Sequence, residues 1–147
     1  MEQQKIKILW IDDDIFRLKL RPYIDELEDS GLFEIVGVAN PDDIEKSLAE
    51  NPDIKCIIVD IAMPTGKEFD VGEAKMGMRT GLLVLKDLSK NPNLNSIKKI
   101  VFTIVTDEQV KKYCESNDIQ YLKKQEHLTD SFLKKIKDIL NPPLKLF

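Results

Sequence analysis

Two short apolar runs in this chain each end abruptly on acid. Ile8-Leu9-Trp10-Ile11 leads into Asp12-Asp13-Asp14, and Ile57-Ile58-Val59 leads into Asp60. A short β-branched run bounded by polar residues reads as a strand buried on both faces, as in a parallel sheet. If the two strands are neighbours, their carboxyl ends set several carboxylates at one edge of the sheet. Crowded carboxylates repel, so such a cluster is costly unless a cation binds it or one member holds a proton. A hard divalent cation is the usual occupant.

Strand-like and helix-like segments alternate along the rest of the chain. Lys5 to Ile11, Phe33 to Ala39, Ile54 to Asp60, Lys99 to Thr103 and Ile119 to Leu122 read as strands. Asp14 is expected to cap a first helix running to about Ser30, with Ile15, Leu18, Ile24 and Leu27 inward and Gly31 as the stop. Asn40-Pro41-Asp42-Asp43 opens a second helix, with a cap, a proline at the first position and acids on the positive dipole end. Gly81 to Ser89 reads as a third. Thr106 and Gln109 have the spacing of a capping box for a fourth. Phe132, Leu133, Ile136, Ile139 and Leu140 give the inner face of a last helix, stopped by Asn141-Pro142-Pro143. Five consecutive βα units argue for a doubly wound α/β sheet, in which ligands bind beyond the carboxyl ends of the strands.

One segment breaks this rhythm. Connections in α/β units typically run about 2–6 residues, yet residues 65–80 intervene between the third strand and its helix. Gly66, Gly72 and Gly77 discourage regular structure there, which leaves a surface loop, a lid or a partner contact as the open readings.

Bulk properties exclude some functions. The 147 residues suffice for one domain, 1–147, with an apolar tail over 141–147. With 22 basic against 26 acidic side chains and no polybasic block, nucleic acid is not an expected partner. The first residues lack the apolar core of a signal peptide, and no apolar run reaches membrane-spanning length. The expectation is a cytoplasmic chain with no membrane partner. Cys56 and Cys114 lack metal-type spacing and are expected to be buried thiols.

The strand-end residues resemble those of the receiver domain of two-component response regulators. Asp12-Asp13 close the first strand, and Asp60 closes the third with Met63-Pro64 after it. Thr103 closes the fourth, Lys124 closes the fifth, and Tyr121 stands three residues before that lysine. The resemblance spans Lys5 to Leu140 and implies a flavodoxin-like sheet of order 2-1-3-4-5. It also implies a phosphoprotein with Asp60 as phosphoacceptor, and Mg²⁺ held by Asp12, Asp13, Asp60 and the Ala62 carbonyl. Lys124 and Thr103 would bind the phosphoryl group, and Tyr121 would be the aromatic switch. The implied partners are a histidine kinase or phosphotransfer protein and an unnamed downstream protein; homodimerisation is left open. Two departures stand out. Ile104 is bulky where the family has a small residue, and Gln125 replaces a proline. They keep alive a receiver-like binding module that takes no phosphate. A further alternative is a haloacid-dehalogenase-type Mg²⁺ phosphohydrolase, because Asp12-x-Asp14 imitates its nucleophile motif; the late acidic metal pair of that enzyme is missing. His127, the only histidine, is expected to play a surface role.

Overall fold

Alternation along the strands decides what lies on each side of the sheet. In the computed structural model, which describes residues 4–141, the strands are β1 (Ile6–Ile11), β2 (Phe33–Val38), β3 (Ile54–Val59), β4 (Lys98–Thr103) and β5 (Gln120–Lys123). They pair in parallel in the order 2-1-3-4-5, the expected flavodoxin-like topology. Leu9, Ile11, Ile57, Val59 and Val101 face one helical layer: α2 (Ile44–Glu50), α3 (Thr80–Leu88) and α4 (Glu108–Ser116). Ile8, Trp10, Ile58, Ile100 and Phe102 face the other, α1 (Arg21–Asp29) and α5 (Thr129–Leu140). Both faces are covered, which is why the strands read as unbroken apolar runs.

The second layer has an aromatic centre. Phe102 stacks on Phe132 with ring centroids 4.2 Å apart, and Trp10 and Tyr23 pack around the pair. Cys56 and Cys114 are free and buried as expected. Burial pushes the Cys56 thiol up to about 12 and Cys114 to about 11. No helix among the described residues is long and apolar enough to cross a membrane. The apolar tail expected over 141–147 lies outside the described residues except for Asn141.

Two helix starts differ from expectation. The first helix begins at Arg21, not Asp14; residues 12–20 form successive turns instead. Pro22 supplies the reason. It lacks an N–H and its ring clashes with the preceding turn, so it fits only in the first turn of a helix. Asp14 is therefore no cap, and its carboxylate pairs with Lys19 at 2.9 Å and Arg17 at 3.4 Å. Ile15 is buried as expected, whereas Leu18, expected inward, is 88% exposed. In the fourth helix the cap is Asp107, whose carboxylate accepts the N–H groups of Gln109 and Val110. Thr106 is exposed and caps nothing. Aspartate caps at least as well as threonine and adds a charge that suits the helix dipole.

Residues 65–80 form an anchored structure with identifiable fastenings. The Asp42 carboxylate accepts the backbone N–H of Lys67 at 2.9 Å and of Glu68 at 3.1 Å. Ala74 is fully buried and Phe69 packs against the α2–α3 side of the core. Met63 N–H donates to the Gly77 carbonyl at 3.0 Å, and the Thr80 hydroxyl donates to the Met63 carbonyl. At the far end Arg79 forms a bidentate pair with Asp107, at 2.6 and 3.1 Å, and donates to Gln109 at 2.8 Å. Directly after it, α3 runs close under the end of β3. A Cβ on Gly81 would stand 2.1 Å from the Asp60 carbonyl oxygen, so only glycine fits that position.

Candidate functional site

Register brings the acids together. Ile11 pairs with Val59, so the next residue of each strand, Asp12 and Asp60, sits at the same tip. Backbone bonds hold both there: Asp60 N–H donates to the Ile11 carbonyl at 2.9 Å, and Asp12 N–H to the Val38 carbonyl at 3.0 Å. The carboxylate oxygens of Asp12, Asp13 and Asp60 lie within 4.8 Å of one another, a cluster able to hold a metal ion. Asp12 is completely buried and Asp60 nearly so, while Asp13 is half-buried.

Lys124 joins this cluster from the end of β5. Its ammonium lies 2.8 Å from Asp12 Oδ2 and 3.1 Å from Asp60 Oδ2. Burial works against the Lys124 charge, but Asp60 and Asp12 outweigh it and its pKa is raised. Burial likewise raises the Asp12 carboxyl, helped by the neighbouring Asp60 charge, while Lys124 and the N–H of Asp14 oppose the shift. Asp13 is raised by burial and then by the charges of Asp14 and Asp12. One lysine cannot balance three carboxylates, so the site carries an excess of negative charge. Asp60 Oδ1 is buried with no hydrogen-bond partner. An orphaned hard oxygen beside two further carboxylates is the donor set that suits Mg²⁺, which takes few carboxylates and keeps its other positions for water or phosphate.

The remaining residues named from the sequence fall into two groups. Ala62, with Asp13, Asp60 and Lys124, lines a cavity of about 310 Å³ at this edge. Ile104 also lines it and is 63% exposed, so the bulky side chain does stand at the mouth. Thr103 is fully buried at the end of β4, and its hydroxyl oxygen accepts the Val105 N–H at 3.2 Å. Tyr121 is half-buried; its hydroxyl donates to the Val105 carbonyl, away from the acids. Burial raises its pKa. His127 is half-buried and does not line that cavity; its carbonyl accepts the Tyr23 hydroxyl at 2.7 Å. None of residues 65–80 lines the cavity beside Asp60.

The sequence reading missed the supports of the β4–α4 connection. Gln125 Nε2 donates to the Ile104 carbonyl at 3.0 Å, so the residue that stands in place of proline ties β5 to that loop by a side-chain bond. Arg79 holds Asp107 at its other end. Asp107 was findable, since an aspartate directly precedes the helix. Arg79 was not, because its partner is 28 residues away.

No family model and no curated protein matches the sequence. Solved structures do match. A response regulator from Desulfuromonas acetoxidans superposes with a TM-score of 0.69 at 18% identity, over 92% of this chain and 97% of that one. A CheY-like receiver domain protein from Methanospirillum hungatei JF-1 gives 0.66 at 23% identity, over 94% and 95%. The chain has the fold of a response regulator receiver domain. The chemotaxis regulator CheY4 of Vibrio cholerae, with a TM-score of 0.64 at 17% identity over 92% of this chain and 99% of that one, has the same receiver fold.

Proposed function

We propose that this chain is a phosphoacceptor of two-component signalling, modified on Asp60 by a partner histidine kinase or phosphotransfer protein. The observation that carries the reading is the meeting of Asp12, Asp13 and Asp60 within 4.8 Å, with Lys124 bridging two of them. A carboxylate oxygen of Asp60 attacks phosphorus, and the bond from phosphorus to the donor's leaving atom breaks, its electron pair departing with the donor. Little covalent chemistry is left for the protein, so positioning and charge neutralisation dominate. Asp12, Asp13, Asp60 and the Ala62 carbonyl are the candidates to hold Mg²⁺, which when bound offsets the charge of the incoming group. Lys124 exchanges its carboxylate contact for a phosphoryl oxygen. Thr103 gives up its role as acceptor for Val105 and donates to the phosphoryl group. Loss of that contact frees the loop on which Tyr121 rests, so modification biases two arrangements of the β4–α4 connection.

A protein donor is favoured by the surface around the site. Among the described residues, the large apolar side chains that are strongly exposed, Phe16, Leu18, Val71, Met76, Met78, Ile104 and Leu128, all project from connections that leave carboxyl ends of strands. Apolar exposure of this kind at one edge marks an interaction surface.

Incubation with acetyl phosphate and Mg²⁺, followed by intact mass, tests the assignment. The expected result is one added phosphoryl group on the wild type, none on Asp60→Asn, and none when EDTA removes the metal. Label retained in Asp60→Asn but lost in Asp12→Asn would instead assign the hydrolase alternative. Absence of label with both acetyl phosphate and a phosphorylated kinase would make the chain a binding module. Ile104→Ala is expected to speed labelling by opening the mouth, read from the same mass series.

A further inference from the structure

A second cavity lies away from the acids, a groove of about 360 Å³ between α2, α3 and residues 65–80. Its floor is apolar: Pro41, Leu48 and Leu88 from the two helices and their approaches, closed on one side by Phe69. Its rim is acidic. Asp42, Glu45, Glu68 and Asp87 line it against the single ammonium of Lys90. The Asp42 carboxylate is already used by backbone N–H groups. Among the described residues Glu45, Glu68 and Asp87 form no ion pair.

We propose that this groove receives an arginine or lysine side chain presented by a partner protein, and that the 65–80 segment exists to build its wall. The inference goes beyond phosphoacceptance and does not depend on it. Long basic side chains carry an aliphatic stem and a charged head, so the stem lies along Phe69 and Leu48 while the head meets the rim carboxylates. The volume is at the lower end of ligand pockets, which suits one such side chain rather than a large ligand. A protein source is favoured over a free organic cation on entropic grounds. A small cation would lose its translational freedom for one shallow contact, whereas a side chain shares that loss with the rest of an interface. Phe69 and Glu68 both come from the segment that Asp42 fastens, so the extra chain adds an apolar wall and a charge at one stroke.

The test uses the full chain and a short, labelled peptide of alternating leucine and arginine, with its glutamate-for-arginine counterpart as control, followed by fluorescence polarisation. The arginine peptide is expected to bind, more weakly as salt rises, and the glutamate peptide not to bind. Phe69→Ala, and separately the pair Glu45→Lys with Asp87→Lys, are each expected to weaken binding by about tenfold or more. Reversal of two exposed acids elsewhere, Glu115→Lys with Asp138→Lys, is expected to leave it unchanged. Urea midpoints identify any variant whose loss reflects unfolding, and ¹⁵N shift mapping of wild type on residues 41–48 and 84–91 locates the contact without mutation. Equal weakening by the control pair, binding indifferent to the groove variants, or agmatine binding as tightly as the peptide would each overturn the proposal. Acetyl phosphate labelling of Asp60 is expected to persist in every groove variant, so failure of one reading is distinguishable from failure of the other.

Discussion

The connections that leave β1 and β3 are both much longer than a direct strand-to-helix turn, and they are fastened in opposite ways. The hydrogen bonds and ion pairs of residues 13–20 run to neighbours in sequence: Ile15 N–H to the Asp12 carbonyl, Arg17 N–H to the Asp14 carbonyl, Leu20 N–H to the Arg17 carbonyl, and Lys19 paired with Asp14. Phe16 and Leu18 are left 76% and 88% exposed as a result. The connection after β3 is fastened from far away, by Asp42 at one end and Asp107 at the other, with Ala74 buried between them. Gly66, Gly72 and Gly77 discourage regular structure there, and nothing local in the sequence points to these distant fastenings. Order in a long connection depends on where the partners of its backbone and charges come from, not on its local composition.

The largest expected effect sits where the second connection meets its helix. Gly81→Ala would place a methyl group 2.1 Å from the Asp60 carbonyl oxygen, a backbone atom that cannot swing aside. A loss of about 3 kcal/mol, the upper end of overpacking costs, is expected in urea unfolding, together with a displaced Asp60. A loss below about 1 kcal/mol would mean that this junction yields as easily as the first connection.

Next comes the Arg79–Asp107 pair. Arg79→Met is expected to cost about 1.5–3 kcal/mol, the range for hydrogen bonds to charged groups. The Arg79 hydrogen bond is the main reason the Asp107 carboxyl lies below its usual range, with its N-cap contacts to Val110 and Gln109 adding to it. A depressed folded-state carboxyl stabilises above its unfolded value and loses that contribution as pH falls through the folded one. The gap between wild type and Arg79→Met is therefore expected at neutral pH and to close below roughly pH 4. A gap that persists in acid would remove the ion pair from the account.

Asp42→Ala comes third, at about 1 kcal/mol for the acceptors lost to Lys67 and Glu68. Hydrogen exchange should quicken at those two amides and leave residues 12–20 untouched. The smallest effect belongs to the first connection. Leu18→Ser is expected to stay within about 0.5 kcal/mol, because the side chain is already in water. A substantial destabilisation there would erase the distinction between the two regions.

Much of the fold was legible because its signals are local. Apolar runs of strand length gave five strands, and their uninterrupted character gave a sheet covered on both sides. Asp12, Asp60 and Thr103 were legible as strand-end residues for the same reason, since the polarity of the chain changes at each; Lys124 was singled out by its spacing from Tyr121, which the family resemblance supplied. What escaped depended on competition or distance. Asp14 was read as a cap because it precedes an apolar stretch, but Pro22 fixes where that helix can begin. Thr106 fitted a capping pattern that the adjacent Asp107 satisfies better. Arg79 and Gln125 carry no mark of their own, because what they hold lies across the fold.

Among the described residues, the gathering of exposed Phe16, Leu18, Met76, Ile104 and Leu128 on the connections at one end of the sheet makes that end the greasier one along the strand axis. Such a body has a greasy pole, and an apolar resin or an air–water interface selects one orientation of it. Adsorption would then hide the acids while the groove between α2 and α3, on the flank of the sheet, stays in solution.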